Sequence, residues 1–179
     1  SAPDMPKFRP SLLDTLLAGA RRTEKDEGGG NVASEHVIPG IKLYSLDRME
    51  EPVFLDTIRR DLGWLLNTVR LDETMSLAHV PEVARSVLNY GIPDFSVRTY
   101  ASIDVREAAD VMVAAVRQFE PRIAEKSLEV KGEKKLRDNT TQSLVFHIYC
   151  DIGNSEDPVR AGFKTEIDVE TGDARLERR

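Results

Sequence analysis

The side chains most able to bind a metal or attack a substrate are three histidines and one cysteine. The histidines, His36, His79 and His147, lie far apart in the chain. His147 and Cys150 are three residues apart in a run that alternates like a strand, and that spacing points them to opposite faces. They therefore cannot share a metal ion without a bulge, and no Gly-x-Ser-x-Gly sequence offers a nucleophile. We expect no metal site and no cofactor.

Carboxylates are the other candidates for chemistry, because a glycosidase needs two of them across a cleft. The chain has 31 acidic residues, so pairs arise by chance and have little specificity. Only Glu120 stands in constrained surroundings, and Arg122 two residues later favours its charged form, the wrong state for a general acid. We expect no catalytic residue. The residues alone leave two interpretations of this pair open: an internal salt bridge, or a pair that faces a partner.

Pro121 fixes the positions of these two charges. The stretch Phe119-Glu120-Pro121-Arg122-Ile123 lies where an amphipathic helix ends and a β-rich tail begins. Proline cannot extend the helix, and it moves the preceding residue out of the α region. Charged groups held at such a junction suit a docking surface at least as well as a reaction.

Composition narrows the class of protein. The chain has 179 residues, 40% of them hydrophobic, and a net charge of −6. An acidic balance argues against nucleic acid as the main partner, because phosphates bind a basic face. A single cysteine makes no internal disulfide and indicates a reducing compartment. No run approaches the ~20 apolar residues of a membrane span, so we expect no direct membrane insertion.

The first 40 residues read as a flexible arm, and residues 41–179 as one α+β domain. After a proline-containing start, Ser11 caps a short amphipathic helix. Its apolar stripe consists of Leu12, Leu13, Leu16, Leu17 and Ala20. Gly28-Gly29-Gly30 makes the following segment a linker. Because the linker separates this helix from the body, we expect a partner to cover the stripe.

The rest of the chain changes period from 3.6 to 2 at Pro121. Three helices are predicted before it: about Glu51 to Asn67, a shorter one from Pro81 that ends at Asn89-Tyr90-Gly91, and one that starts at Asp104 and stops at Pro121. Alternating segments after it predict strands around Leu128–Val130, Leu144–Ile152, Phe163–Val169 and Leu176, with loops at Lys131–Gln142 and Gly153–Pro158. The fold class is α+β, with N-terminal helices packed on a C-terminal antiparallel meander. The tail after Gly153 is the expected sheet edge.

Several segments together resemble one protein family. They are Arg9-Pro10-Ser11-Leu12-Leu13-Asp14, Ile58-Arg59-Arg60-Asp61-Leu62 through Thr68, Pro81-Glu82 with Ser86 to Gly91 and Pro93-Asp94, the helix-end Phe119-Glu120-Pro121-Arg122, and Phe163 to Asp168. In this order and spacing they resemble TssE, the baseplate wedge subunit of bacterial type VI secretion systems. That family is related to the contractile-phage wedge proteins once called lysozyme-like.

The resemblance implies a structural role in the cytoplasm, in a baseplate docked at the inner membrane. Its implied partners are the wedge subunits TssF and TssG and the contractile sheath, whose assembly the family helps to start. Glu120, Pro121 and Arg122 would dock on the wedge, and the C-terminal strands would resemble the strand-exchanging part of the sheath. The alternative is a lysozyme-type peptidoglycan hydrolase, which rests only on the old name and the many carboxylates.

Overall fold

The computed structural model describes residues 51–137, 141–153 and 158–179. The predicted arm, its amphipathic helix and the glycine linker lie outside these residues. The chain divides into two compact units, Ser1–Thr57 and Ile58–Arg179. The predicted domain boundary near residue 40 is outside the described part and stays a prediction.

Helix α1, Glu51–Leu66, confirms the predicted second helix to within one residue at its end. The part of α1 that belongs to the second unit begins at Ile58. It buries one apolar stripe, because residues three and four apart share a helix face. The stripe consists of Ile58, Leu62, Leu65 and Leu66. In the first unit, Phe54, Leu55 and Thr57 are buried, and the Thr57 hydroxyl donates to the Phe54 carbonyl at 2.7 Å.

The predicted third helix is wrong beyond its first turn. Helix α2 covers only Pro81–Ala84, and a separate 3-10 turn follows at Val87–Asn89. Ser86 interrupts them: its backbone is extended, and its hydroxyl accepts the Leu88 amide at 3.2 Å. Local side-chain bonding of this kind competes with helix continuation. As a result Val87 and Leu88 are exposed instead of lying in a helix.

Gly91 connects this region to the end of α1. Its φ is +129°, a conformation that favours glycine, and a Cβ there would lie 2.2 Å from the Thr68 carbonyl oxygen. That close approach lets the Ile92 amide donate to the same oxygen at 2.9 Å. Gly91 thus follows a 3-10 turn rather than the end of the predicted helix.

Helix α3, Val105–Phe119, is the helix that sequence periodicity defines best. Asp104 caps it, and its carboxylate accepts the amides of Arg106 at 2.8 Å and Glu107 at 3.4 Å. One face is buried, and it consists of Ala108, Ala109, Met112, Ala115 and Val116. The helix packs against the first strand of the sheet.

The four strands form one antiparallel sheet in the order of the chain. They are β1 Glu129–Arg137, β2 Thr141–Ile152, β3 Val159–Asp168 and β4 Ala174–Arg178. Helices followed by this meander confirm the α+β class. Among the described strands β1 and β4 are the edges, so the predicted edge in the tail is β4, and β1 is a second one.

The predicted loop at Lys131–Gln142 is wrong, because β1 runs through to Arg137. Glu129 to Arg137 pair in unbroken register with Tyr149 to Thr141. Alternating charges conceal this strand in the sequence, since a long edge strand with one exposed face needs few apolar residues.

One face of the sheet carries the core. Leu144, Phe146, Ile148, Cys150 and Ile152 of β2 are buried, as predicted, and so are their β3 neighbours Ala161, Phe163, Thr165 and Ile167. The opposite face carries mainly charged and polar side chains, such as Lys131 and Glu133 of β1 and Lys164 and Glu166 of β3. Val145 on that face is nevertheless buried, and its register partners are Glu133 and Glu166.

Gly132 marks the tightest contact between α3 and the sheet. A Cβ there would lie 2.5 Å from Val105 and 2.7 Å from the Phe146 ring. We expect Gly132→Ala to lower the free energy of unfolding by about 1–3 kcal/mol, because the packed helix cannot move away freely. Denaturant unfolding measures this.

The matched control is Gly162→Ala in β3, where the nearest atoms lie at 3.6 Å and a methyl group fits without overlap. Equal stability of the two variants would contradict the close packing of α3 on β1.

Candidate functional site

The Glu-Pro-Arg motif forms the corner between α3 and the sheet. Glu120 ends the helix, and its amide donates to the Val116 carbonyl at 2.8 Å. Its own carbonyl accepts the Ile123 amide at 3.2 Å, which closes a tight turn around Pro121. Pro121 itself is exposed. The helix therefore stops where the sequence predicts.

Inside this corner, Arg122 folds back onto Glu120. The Arg122 Nε donates to Glu120 Oε1 at 2.6 Å, and Nη2 donates to Oε2, so the pair is bidentate. The Arg122 backbone amide also donates to Oε1 at 3.3 Å. Glu120 is only 4% exposed. The salt-bridge interpretation of this pair is confirmed.

A second carboxylate, Asp61 of α1, completes the cluster. Arg122 Nη2 donates to Asp61 Oδ2 as well as to Glu120. Arg60 donates from Nε to the other Asp61 oxygen, Oδ1, at 2.8 Å. Two arginines thus balance two carboxylates. Sequence reasoning did not select Asp61, although its place off the apolar stripe of α1 was a signal that it faces something polar.

Tyr90 also contacts the cluster, from the connecting region between α1 and α3. Its hydroxyl donates to the Asp61 carbonyl oxygen at 3.4 Å, and its ring packs edge-on against Phe119, with centroids 5.1 Å apart. Burial, then the charges of Asp61 and Glu120, raise the pKa of Tyr90 to about 12. The phenol therefore stays neutral at physiological pH.

The segment after the motif is hydrogen-bonded to the sheet. Ile123 bridges Ile152 at the end of β2, and the Ala124 amide donates to the Asp151 carbonyl at 2.9 Å. The Asp151 amide in turn donates to the Ser127 hydroxyl at 2.8 Å. The motif is thus held on one side by α1 and on the other by β2.

The electrostatics favour a fixed ion cluster. Burial alone would lower the pKa of Arg122, but the hydrogen bonds and charges of Glu120, and then of Asp61, outweigh it and raise that pKa. The oxygens of Glu120 are occupied by the guanidinium rather than directed into a cleft. Leu12, Leu13, Leu16 and Leu17, the other expected partner-binding residues, lie outside the described residues.

Groups suited to metal or nucleophilic chemistry are not assembled in the described part. No set of three or more His, Cys, Asp and Glu side chains lies together there. The Cys150 thiol is buried, and burial, then the charge of Asp151, raises its pKa to about 12. His147 and Cys150 lie on opposite faces of β2, as predicted. No helix within residues 51–137, 141–153 and 158–179 is long and apolar enough to cross a membrane.

Removal of Arg122 tests the cluster. We expect Arg122→Ala to lower the free energy of unfolding by about 3–5 kcal/mol, because buried Glu120 loses the cation that compensates its charge. Equilibrium unfolding measures this.

The matched control is Arg160→Ala, which breaks a 3.0 Å pair with Asp151 in which Arg160 is 59% exposed. That variant should lose less than about 1 kcal/mol. A similar small loss of stability in both variants would show that the buried Glu120 carboxylate does not need Arg122 to compensate its charge.

Tyr90 gives the cluster a signature at high pH. The folded protein holds the phenolic proton more tightly than the unfolded chain, so Tyr90 favours the folded state below pH 10.0, and this contribution is lost as the pH rises to about 12. As the pH rises from 10.0 to about 12, the free energy of unfolding of Tyr90→Phe should fall less than that of the wild type. Denaturant titrations at several pH values measure this. Parallel losses in the two proteins would contradict the assignment.

Comparison with known proteins identifies the family. The model of the family described as baseplate wedge protein gp25 matches residues 53–157, which include most of α1 and all of the ion cluster, α3, β1 and β2. Searches of curated proteins and of solved structures found no match. Because the match covers more than half of the chain, this protein belongs to the baseplate wedge protein gp25 family.

Proposed function

We propose that this chain is the TssE-type wedge subunit of a type VI secretion baseplate. In this role it binds TssF and TssG and contacts the base of the contractile sheath to help start its assembly. The observation that carries the proposal is the gp25 family match over residues 53–157, which includes the whole Glu-Pro-Arg corner. The resemblance of the individual segments to TssE supports the secretion-system branch.

The corner supplies a rigid docking element. Pro121 is exposed, while Glu120 and Arg122 beneath it are fixed by each other and by Asp61. A preorganised surface loses little conformational freedom on binding, which favours affinity. We propose that TssF and TssG bind at this corner and that the leucine stripe Leu12, Leu13, Leu16 and Leu17 adds a second contact. An amphipathic helix in a groove is a common recognition mode.

We propose that the contractile sheath contacts this chain at its β-sheet. The described strands end in two edges, β1 and β4, and edge strands present backbone groups that can pair with another chain. Lys131, Lys134 and Lys135 on β1 are exposed, a composition that discourages unspecific edge pairing. A sheath strand that joins here would need to complement these charges.

We propose a structural role rather than an enzymatic one, in the cytoplasm and in a baseplate docked at the inner membrane. The constrained carboxylate, Glu120, is occupied by Arg122. No specific observation favours the alternative peptidoglycan hydrolase, which would need a free carboxylate positioned as a general acid.

Co-expression with TssF and TssG, followed by size-exclusion chromatography, tests the role. We expect the wild-type chain to co-elute with both subunits. Leu16→Asp should weaken co-elution, because it places a charge in the proposed apolar contact.

The control is Arg22→Ala, on the same segment but off the stripe, which should co-elute like the wild type. Absence of wild-type co-elution would refute the proposed function. Normal co-elution of Leu16→Asp would show that the arm is not part of the docking surface.

A further inference from the structure

Strand β4 belongs to the sheet without burying any of its own side chains. Its five residues, Ala174–Arg178, are all exposed or half-buried. In the neighbouring strand β3, by contrast, every second residue from Ala161 to Ile167 is buried. Burial of apolar surface is the main favourable term in folding, and elements that lack it open most easily. The attachment of β4 therefore depends on its polar contacts.

The first polar contact comes from Asn67, the residue that follows α1. Its Oδ1 accepts the Ala174 amide, and its Nδ2 donates to the Ala174 carbonyl oxygen, both at 2.8 Å. Nδ2 also donates to the Gly63 carbonyl oxygen at 2.8 Å, so both of its hydrogens are used. An asparagine carboxamide has the same donor and acceptor as a backbone peptide group. Asn67 thus pairs with Ala174, 107 residues away, as a residue of an added strand would.

This contact lies on the outer edge of β4, the edge that faces away from β3. In an antiparallel ladder, successive residues direct their backbone groups alternately to the two sides of the strand. The Arg179 amide donates to the Gly162 carbonyl of β3 at 2.9 Å, so odd-numbered residues of this segment bond to β3. Ala174 has the opposite parity and directs its amide and carbonyl outward. Asn67 therefore occupies the first outward position of β4.

The remaining contacts of β4 are also polar. After the last residue of the strand, Arg179 Nη1 donates to the Tyr149 hydroxyl of β2 at 2.8 Å. Arg175 and Glu177, in the middle of β4, each stand opposite a β3 residue of opposite charge. Opposite charges across a ladder stabilise strand pairing, but hydrogen bonds and ion pairs at exposed positions each contribute little. The strand is thus held by several weak contacts that can break together.

We infer that β4 is a detachable strand that opens as a unit while β1, β2 and β3 stay paired, and that Asn67 is the latch that keeps it closed. Opening breaks the hydrogen bonds of β4 but removes none of its side chains from a core. It leaves the backbone of β3 accessible along Phe163–Ile167, the residues that β4 pairs with. One side chain therefore controls access to this side of the sheet.

The inference goes beyond the proposed function, because opening of β4 requires no partner. Another strand can join β3 along Phe163–Ile167 only after β4 has left, and it can join β4 at Ala174 only after Asn67 has moved. The experiment below uses the full chain alone. Failure to bind TssF, TssG or a sheath protein would therefore overturn the proposed function and leave this inference intact.

Hydrogen exchange along β3 tests the opening, because amides of this strand point alternately to β4 and to β2. By the parity given above, one set of amides bonds to β4, that of Lys164 and Glu166, and the other set bonds to β2, that of Phe163, Thr165 and Ile167. We expect the first set to exchange about tenfold or more faster than the second, because local opening frees only the first. Its exchange should also depend weakly on urea, because opening exposes little surface. Native-state exchange followed by NMR measures both.

Asn67→Ala tests the latch. It removes both hydrogen bonds to Ala174, so the amides of β4, Lys164 and Glu166 should exchange about tenfold faster than in the wild type. Exchange of the amides that bond to β2 should not change. The matched control is Gln118→Ala, which removes another side-chain amide donor, to the Arg85 carbonyl at 2.9 Å, and should leave β4 unchanged.

Each outcome gives a distinct answer. Equal exchange rates for the two sets of β3 amides in the wild type would show that the sheet opens as a whole, and this overturns the inference. Unchanged β4 exchange in Asn67→Ala, or equally faster exchange of all strands, overturns the role of Asn67 as the latch. Asn67→Asp, which has the same shape but lacks the donor, gives the same test if the alanine variant does not fold.

Discussion

The burial of Glu120 is the constraint on which the rest of the structure depends. Pro121 ends helix α3 and turns the chain, and this turn places the Glu120 carboxylate at 4% exposure. A buried charge is tolerated only if it is paired and hydrogen-bonded. Arg122 satisfies that requirement with two side-chain hydrogen bonds and one from its backbone amide. The two-residue spacing of the motif thus lets the guanidinium reach the carboxylate across the turn.

The arginine also links parts of the chain that are distant in sequence. Its second carboxylate partner, Asp61, belongs to α1, and Tyr90 from the connecting region donates to the Asp61 backbone. On the other side, Ile123 and Ala124 pair with the end of β2. A shift of the corner would thus disturb α1, the connecting region and the sheet at once. Such a network is costly to break, because each partner left behind is a buried polar group.

This arrangement fits the proposed structural role. A catalytic carboxylate needs access to substrate, whereas both carboxylates here are occupied by arginines. Within the described residues, the groups that face solvent include some of the kind that bind proteins: the Trp64 side chain, Pro121 and two sheet edges. A rigid interior that displays them is suited to a subunit that must hold others in fixed positions. This agrees with membership of a baseplate wedge family.

The sequence by itself determined the elements whose signals are local. The α+β class, the limits of α1 and α3, the cap at Asp104 and the buried face of β2 follow from period, capping and proline chemistry, which act within a few residues. The same reasoning failed at Ser86, where a side-chain hydrogen bond ended a helix, and at Lys131–Arg137, where charges concealed an edge strand.

Only the tertiary structure decided what the Glu-Pro-Arg motif contacts. Sequence reasoning selected Glu120 and Arg122 and left open whether they form a salt bridge or face a partner. The third member, Asp61, is 61 residues away, and no periodicity or spacing connects it to Arg122. Whether a charged side chain is satisfied internally depends on which distant groups the fold brings within hydrogen-bond distance. That is a property of packing, and a linear pattern does not contain it.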